Sequence, residues 1–200
     1  MAPLAVPELI VADAAAFRAW LVERYSSSDG VWLVLAKKNT TEPTSLTYDE
    51  ALDEALCFGW IDGQKRSRDS STFEQRFTPR RSKSMWSKRN VGIVDRLIAD
   101  GRMAPAGHAV IEAAKADGRW GAAYSGMATA EIPHDFAEAL AAHPDASEMF
   151  DILTKTNRYS VLYRIETAKL PATRARRIEQ LVEMLDRGET IHPQKAQRSS

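Results

Sequence analysis

Every run that reads as β-strand in this 200-residue chain lies in its first half, and the chain beyond residue 87 reads as helix. That asymmetry limits the fold to a small sheet with helices packed on it. Val31–Ala36, VWLVLA, is a short continuous apolar run between Gly30 and the polar Lys37, Lys38, Asn39 and Thr40, which predicts a buried strand. Residues 60–67 and 72–78 flank a polar stretch at 68–71 and predict a hairpin or sheet edge. The expected class is α+β, with a small, mostly antiparallel sheet packed by helices in the N-terminal half and an all-helical C-terminal module.

Local signals place the helices. Asp13 precedes the apolar rhythm of Phe17, Trp20 and Leu21, an N-capped amphipathic helix. Thr47 with Glu50 three residues on makes a capping box, after which Tyr48, Leu52, Ala55 and Leu56 share one face. That helix is expected to stop at Gly59, where a left-handed backbone suits glycine. Val94, Leu97 and Ile98 continue the pattern toward Gly101, and a further helix spans 105–115. Three glycines and few large apolar residues mark 118–133 as a linker. Helices are then expected at 135–142, 147–155 and 159–169, and after Pro171, where Ala175, Ile178, Leu181, Val182 and Leu185 fall on one face. The expected organisation is an α+β core over 1–117, a linker over 118–133, a helical module over 134–193 and a frayed tail over 194–200.

Composition narrows the function classes. With 44% apolar residues the chain can bury a substantial core, and its formal net charge is zero. A single cysteine, Cys57, excludes an intramolecular disulfide and any Cys-x-x-Cys metal or redox site. His108, His134, His143 and His192 are too scattered for a zinc pattern, so neither metal nor cofactor is expected. The N-terminus lacks the charged start and apolar run of an export signal, and no stretch approaches the length that crosses a bilayer, so cytoplasmic residence is expected. No Gly-rich phosphate loop or nucleophile elbow occurs, so an enzyme is not the leading expectation and no catalytic residues are assigned.

The charge itself is uneven. Residues 65–89 carry nine Lys or Arg against two acids, so the remainder of the neutral chain is correspondingly acidic. Trp60, Phe73, Phe77 and Trp86 interleave with these bases. One reading makes the aromatics sheet core and the charges a solvated face. The other makes the segment a cradle for an anion, because guanidinium forks match phosphate and carboxylate and flat rings offer stacking surfaces. Its contacts would be Trp60, Asp62, Lys65, Arg76, Arg80, Lys83, Trp86 and Ser87, with Ser84 or Ser87 at the start of the following helix. Asp62, flanked by Lys65 and Arg66, reads as an ion-pair partner, a ligand contact or a general base. Asp49, Glu50, Asp53 and Glu54 read as a solvated acidic face that offsets the basic segment. Arg174, Arg176 and Arg177 are expected to pair with Glu179, Glu183 and Asp186 of their own helix.

Phe58-Gly59-Trp60-Ile61-Asp62-Gly63, Arg76-Phe77-Thr78-Pro79-Arg80 and Trp86-Ser87-Lys88-Arg89-Asn90 resemble the YdeI/OmpD-associated family, also called bacteriocin-protection proteins. So do Tyr163-Arg164-Ile165-Glu166-Thr167-Ala168-Lys169, Pro171, the stretch from Thr173 to Ile178 and the ending Ile191-His192-Pro193, so that the resemblance runs over about residues 8 to 193. It implies a context, protection against bacteriocins and association with an outer-membrane porin, and brings no catalytic residues. The expected function is a binding protein for an anionic small molecule or phosphate-bearing partner, in bacterial stress or tolerance of bacteriocins and antimicrobial peptides. Single-stranded nucleic acid is the rival partner, through phosphate neutralisation and base stacking. An enzyme on a small anionic metabolite is the third reading, with Asp62 as base and Arg80 or Lys83 stabilising negative charge. Oligomeric state is left open.

Overall fold

In the computed structural model, residues 6–195 are described. They form two compact units, one holding the chain up to Trp86 with Asn90–Gly121, the other holding Ser87–Arg89 with the chain from Ala122 onward.

The first unit contains β1 (Glu8–Leu9), α1 (Ala14–Arg24), β2 (Val31–Ala36), α2 (Tyr48–Cys57), β3 (Trp60–Ser67), β4 (Thr72–Pro79), α4 (Pro105–Ala116) and most of α3 (Lys88–Ala99). The sheet order is β1-β2-β4-β3. β4 pairs antiparallel with both β2 and β3, but β1 lies parallel to β2. The sheet is therefore mixed, not mostly antiparallel as the strand pattern suggested. The reason lies in the connection: α1 carries the chain back from the end of β1 to the start of β2, which is how parallel neighbours are joined. A two-residue strand such as Glu8–Leu9 is too short to carry a periodicity of its own.

Local chemistry sets the element ends. Asp13 Oδ1 accepts from Ala16 N at 2.9 Å and caps α1. Thr47 and Glu50 form the reciprocal box that starts α2. Gly59 takes φ +74° between α2 and β3, where an added Cβ would meet Val110 Cγ2 at 2.8 Å. In the hairpin, the Asp69 carboxylate accepts from Ser71 N at 2.9 Å and Thr72 N at 2.7 Å, which turns the chain from β3 into β4.

Strand alternation divides the side chains of β4. Phe73, Gln75 and Phe77 face one way with Leu35, Leu33 and Val31, their register partners on β2, and the Phe17 ring packs 5.9 Å from that of Phe77. Glu74 and Arg76 face the other way, opposite Val34 and Trp32.

The acidic face of α2 is not simply solvated. Glu54 is buried and takes Arg18 Nη1 at 2.7 Å on one oxygen and Arg102 Nη2 at 2.6 Å on the other. Asp53 is held by Arg96 and Arg102. A buried carboxylate requires such partners, and here α1 and the turn after α3 provide them rather than the basic segment.

The second unit contains α5 (His134–Ala141), α6 (Pro144–Asp151), α7 (Lys155–Glu166) and α8 (Pro171–Asp186). Phe136, Leu140, Met149, Phe150, Leu162, Ile165 and Leu181 belong to its core. α6 and α7 begin three and four residues earlier than their periodicity suggested, because Pro144 occupies the first helical turn of one and Thr154 Oγ1 caps the other by accepting from Asn157 N at 3.3 Å. Asn157, itself buried, donates to His192 O at 2.9 Å and accepts from His192 N at 2.8 Å, so the Ile191-His192-Pro193 ending is tied to α7. Gln194, expected at the start of a frayed tail, accepts from Asn157 Nδ2 at 2.7 Å; residues 196–200 of that tail lie outside the described residues.

Glu54→Ala is expected to destabilise the chain by about 2–3 kcal/mol, between the values for surface and fully buried pairs because both arginines are partly exposed. Urea unfolding measures this; a loss below about 0.5 kcal/mol would mean that the pair only balances its own desolvation.

Candidate functional site

Strand geometry scatters the expected contacts. Trp60 is 1% exposed, its Nε1 donates to Tyr25 O at 3.1 Å and its ring meets Trp20 edge-on at 5.7 Å. Trp86 is equally buried and packs against Trp120 at 4.8 Å. Phe73 and Phe77 are also buried. These four rings have no free face for a base or a sugar to stack upon.

Asp62 and Lys65 stand opposite Phe77 and Gln75, which puts them on the sheet face away from Arg76, with a register shift between them. Asp62 Oδ2 accepts from the Tyr48 hydroxyl at 2.9 Å instead of pairing with Lys65 or Arg66. The Lys65 ammonium lies 4.1 Å from the Phe73 ring centroid. Arg80 lies 3.5 Å from the Trp86 ring centroid and donates to Met85 O at 3.1 Å. Lys83 is exposed in the turn that Arg81 and Ser84 close by backbone and hydroxyl hydrogen bonds. Ser87 belongs to the second unit, where it bridges to Tyr124.

The face of β4 that bears Arg76 holds two residues that pattern reading did not single out as contacts. Trp32 stands opposite Arg76, and the Arg66 guanidinium lies 4.1 Å from its ring centroid. Arg66 grips the buried Glu74 carboxylate with Nε at 2.6 Å and Nη2 at 2.7 Å. Arg76 is half-buried, its Nε is sealed from solvent without an acceptor, and no described residue pairs with it. Trp32 was absorbed into the apolar run VWLVLA, which hid its outward face.

In the second unit, Lys88 Nζ donates to Ser125 Oγ at 2.9 Å, Ser125 Oγ donates to Glu166 Oε1 at 2.8 Å, and Ser125 N reaches both carboxylate oxygens within 3.0 Å. These side chains line a cavity of about 500 Å³ with Thr129, His134 and Arg174. Ser125 carries no sequence signal; Glu166 stands in the run Tyr163 to Lys169. The cluster clasps the irregular segment after Ala122 to α7, since the Ser125 N–H and hydroxyl both reach Glu166. Arg174 pairs with Asp135 of α5 rather than with acids of its own helix.

Cys57 is buried, and burial pushes its thiol pKa up, away from the reactive thiolate. Among the described residues no three His, Cys, Asp or Glu gather where a metal ion could sit, and no helix is long and apolar enough to cross a membrane.

Together these features define an α+β unit followed by a helical unit with polar clasps. The chain belongs to the family described as a domain of unknown function (DUF8412), whose model matches residues 9–110. Residues 129–188 match the family described as Bacteriocin-protection, YdeI or OmpD-Associated. The resemblance drawn from sequence is therefore shown for the helical part, while the motifs around Trp60 and Trp86 fall within the other match. No curated protein and no solved structure matches the chain.

The Arg66 fork holds Glu74 below its ordinary pKa of 4.5, so its contribution to stability is whole above that value and is lost as pH falls through the lowered folded value. Arg174 lowers Asp135 in the same sense. Thermal melts are expected to be flat from pH 7 to about 5 and to fall below about pH 4; a melting temperature that rises on acidification contradicts this. Ser125→Ala is expected to cost about 1–3 kcal/mol in urea unfolding, because Glu166 and Lys88 lose a partner in a partly buried site.

Proposed function

We propose that this chain binds an anionic small molecule, or an anionic segment of a partner, through the basic side chains that follow β3, with Arg76 as the central contact. The observation that carries this reading is the Arg76 guanidinium, half-buried on the sheet face with Trp32 and Arg66, with its Nε sealed off and lacking an acceptor. The terminal guanidinium N–H groups of Arg76 have no acceptor among the described residues and are not sealed as Nε is, so a phosphate or carboxylate oxygen would engage them. Arg66 is committed to Glu74, so its charge is largely spent, and Arg76 is the member of that face that remains to meet a ligand. Lys83 and Arg81, exposed in the following turn, supply longer-range attraction.

The buried Trp60 and Trp86 take a supporting role in this reading: they fix the strand and turn that present the bases. We place this binding in the context that the second family description names, protection against bacteriocins.

Calorimetry with pyrophosphate, beside anisotropy with a labelled single-stranded oligonucleotide at several salt concentrations, tests the reading. Arg76→Ala is expected to weaken pyrophosphate binding about ten- to a hundredfold, the range of a charge-assisted hydrogen bond, without lowering the melting temperature. Unchanged affinity in that variant, or no binding by the native chain at millimolar pyrophosphate, overturns it. Oligonucleotide binding that weakens steeply with salt would move the assignment to single-stranded nucleic acid.

A further inference from the structure

α7 opens against the usual rule. Its first turn contains Lys155 and Arg158 and no acid, although the partial positive charge at a helix start disfavours cations there. Neither side chain has an ion pair among the described residues. The backbone at that end is already served, since Thr154 N donates to Gln194 Oε1 at 3.1 Å and Asn157 N to Thr154 Oγ1. Lys155 thus has no partner and Arg158 has only the Phe150 ring, at a place where the helix start would favour Asp or Glu, and residues that break a local rule mark candidate functional positions.

Both line one cavity of about 480 Å³ within the second unit, together with Met127, Ala130, Tyr159 and Leu162. That volume falls in the range of small-molecule sites. Its walls are chemically split. Leu162 and Tyr159 form an apolar side, and the Tyr159 hydroxyl is turned away to Ser125 O at 3.2 Å, leaving the ring as wall. Met127 is 51% exposed at the rim, a flexible apolar side chain with no core to fill. Arg158 lies 4.3 Å from the Phe150 ring centroid, and a guanidinium stacked in this way keeps its in-plane N–H groups for a ligand.

We propose that this cavity binds an anion carrying an apolar group, a carboxylate, sulfonate or phosphate on a small hydrocarbon or aromatic body. Lys155 and Arg158 take the charged end, and Met127, Tyr159 and Leu162 cover the rest. The site shares no residue with the Arg76 face, so either can fail without the other.

Fluorescence titration of the full chain with anilinonaphthalene sulfonate, and with phenylnaphthylamine, which has the same rings without the sulfonate, tests it. The native chain is expected to bind the sulfonate at least about tenfold more tightly than the neutral probe, as a charge-assisted contact implies. In Lys155→Ala/Arg158→Ala that preference disappears while the neutral probe binds as before, and loss of the Arg158–Phe150 contact is largely offset by removing two unfavourable charges from the helix start. Equal affinities in the native chain, or a preference that survives the double substitution, overturns the proposal.

Discussion

The molecule depends on β4 being hydrogen-bonded along both edges. A strand held on two sides cannot roll, so its side chains must alternate between the faces of the sheet. Phe73, Gln75 and Phe77 are thereby committed to the side that packs on α1, and Glu74 and Arg76 to the side of Trp32. The interleaving of bases with aromatics, which in sequence suggests a stacking surface, becomes along β4 a division: Phe73 and Phe77 on one face, Glu74 and Arg76 on the other. Trp60 and Trp86 follow the same logic at either end of this segment, each buried against another tryptophan.

Electrostatics then completes what packing begins. Buried carboxylates are each met by a guanidinium: Glu54 by Arg18 and Arg102, Glu74 by Arg66. Arginine suits this task because its fork engages both carboxylate oxygens, as at Glu74, and because its flat face can rest on a ring, as Arg66 does on Trp32. Of the bases between residues 65 and 89, Arg66 and Arg68 are thus met by carboxylates inside the unit. Arg68 goes to Glu8 and Asp69, and Arg80 to Met85 O and the Trp86 ring.

Much of the fold was legible in the residues themselves. The capping box at Thr47, the turn at Gly59 and the hairpin around Asp69 rest on interactions within a few residues, the strand at Val31–Ala36 on its unbroken apolar run, and each stands where the pattern put it. The start of α7 was missed by four residues because the Thr154 cap competes with a periodicity that Tyr159 and Leu162 suggest further on. The parallel β1 was missed because two residues carry no rhythm. Of the candidate site, the basic character of the segment was legible, whereas Trp32 and Ser125 were not, since neither residue type announces its surroundings.

The sequence by itself determined the longer strands and the presence of the helices, the caps at Asp13 and Thr47, and that the chain divides its strands from its later helices. These outcomes follow from side-chain periodicity, backbone dihedral preferences and, in helices and turns, hydrogen bonds that close over three or four positions. Only the tertiary structure decided which face each side chain occupies and which partner each charge meets. Arg18 and Glu54 are 36 positions apart, and Ser125 and Glu166 are 41 apart. No local energy term reaches across such separations; those pairings exist only once the core has packed and water has been removed from between them.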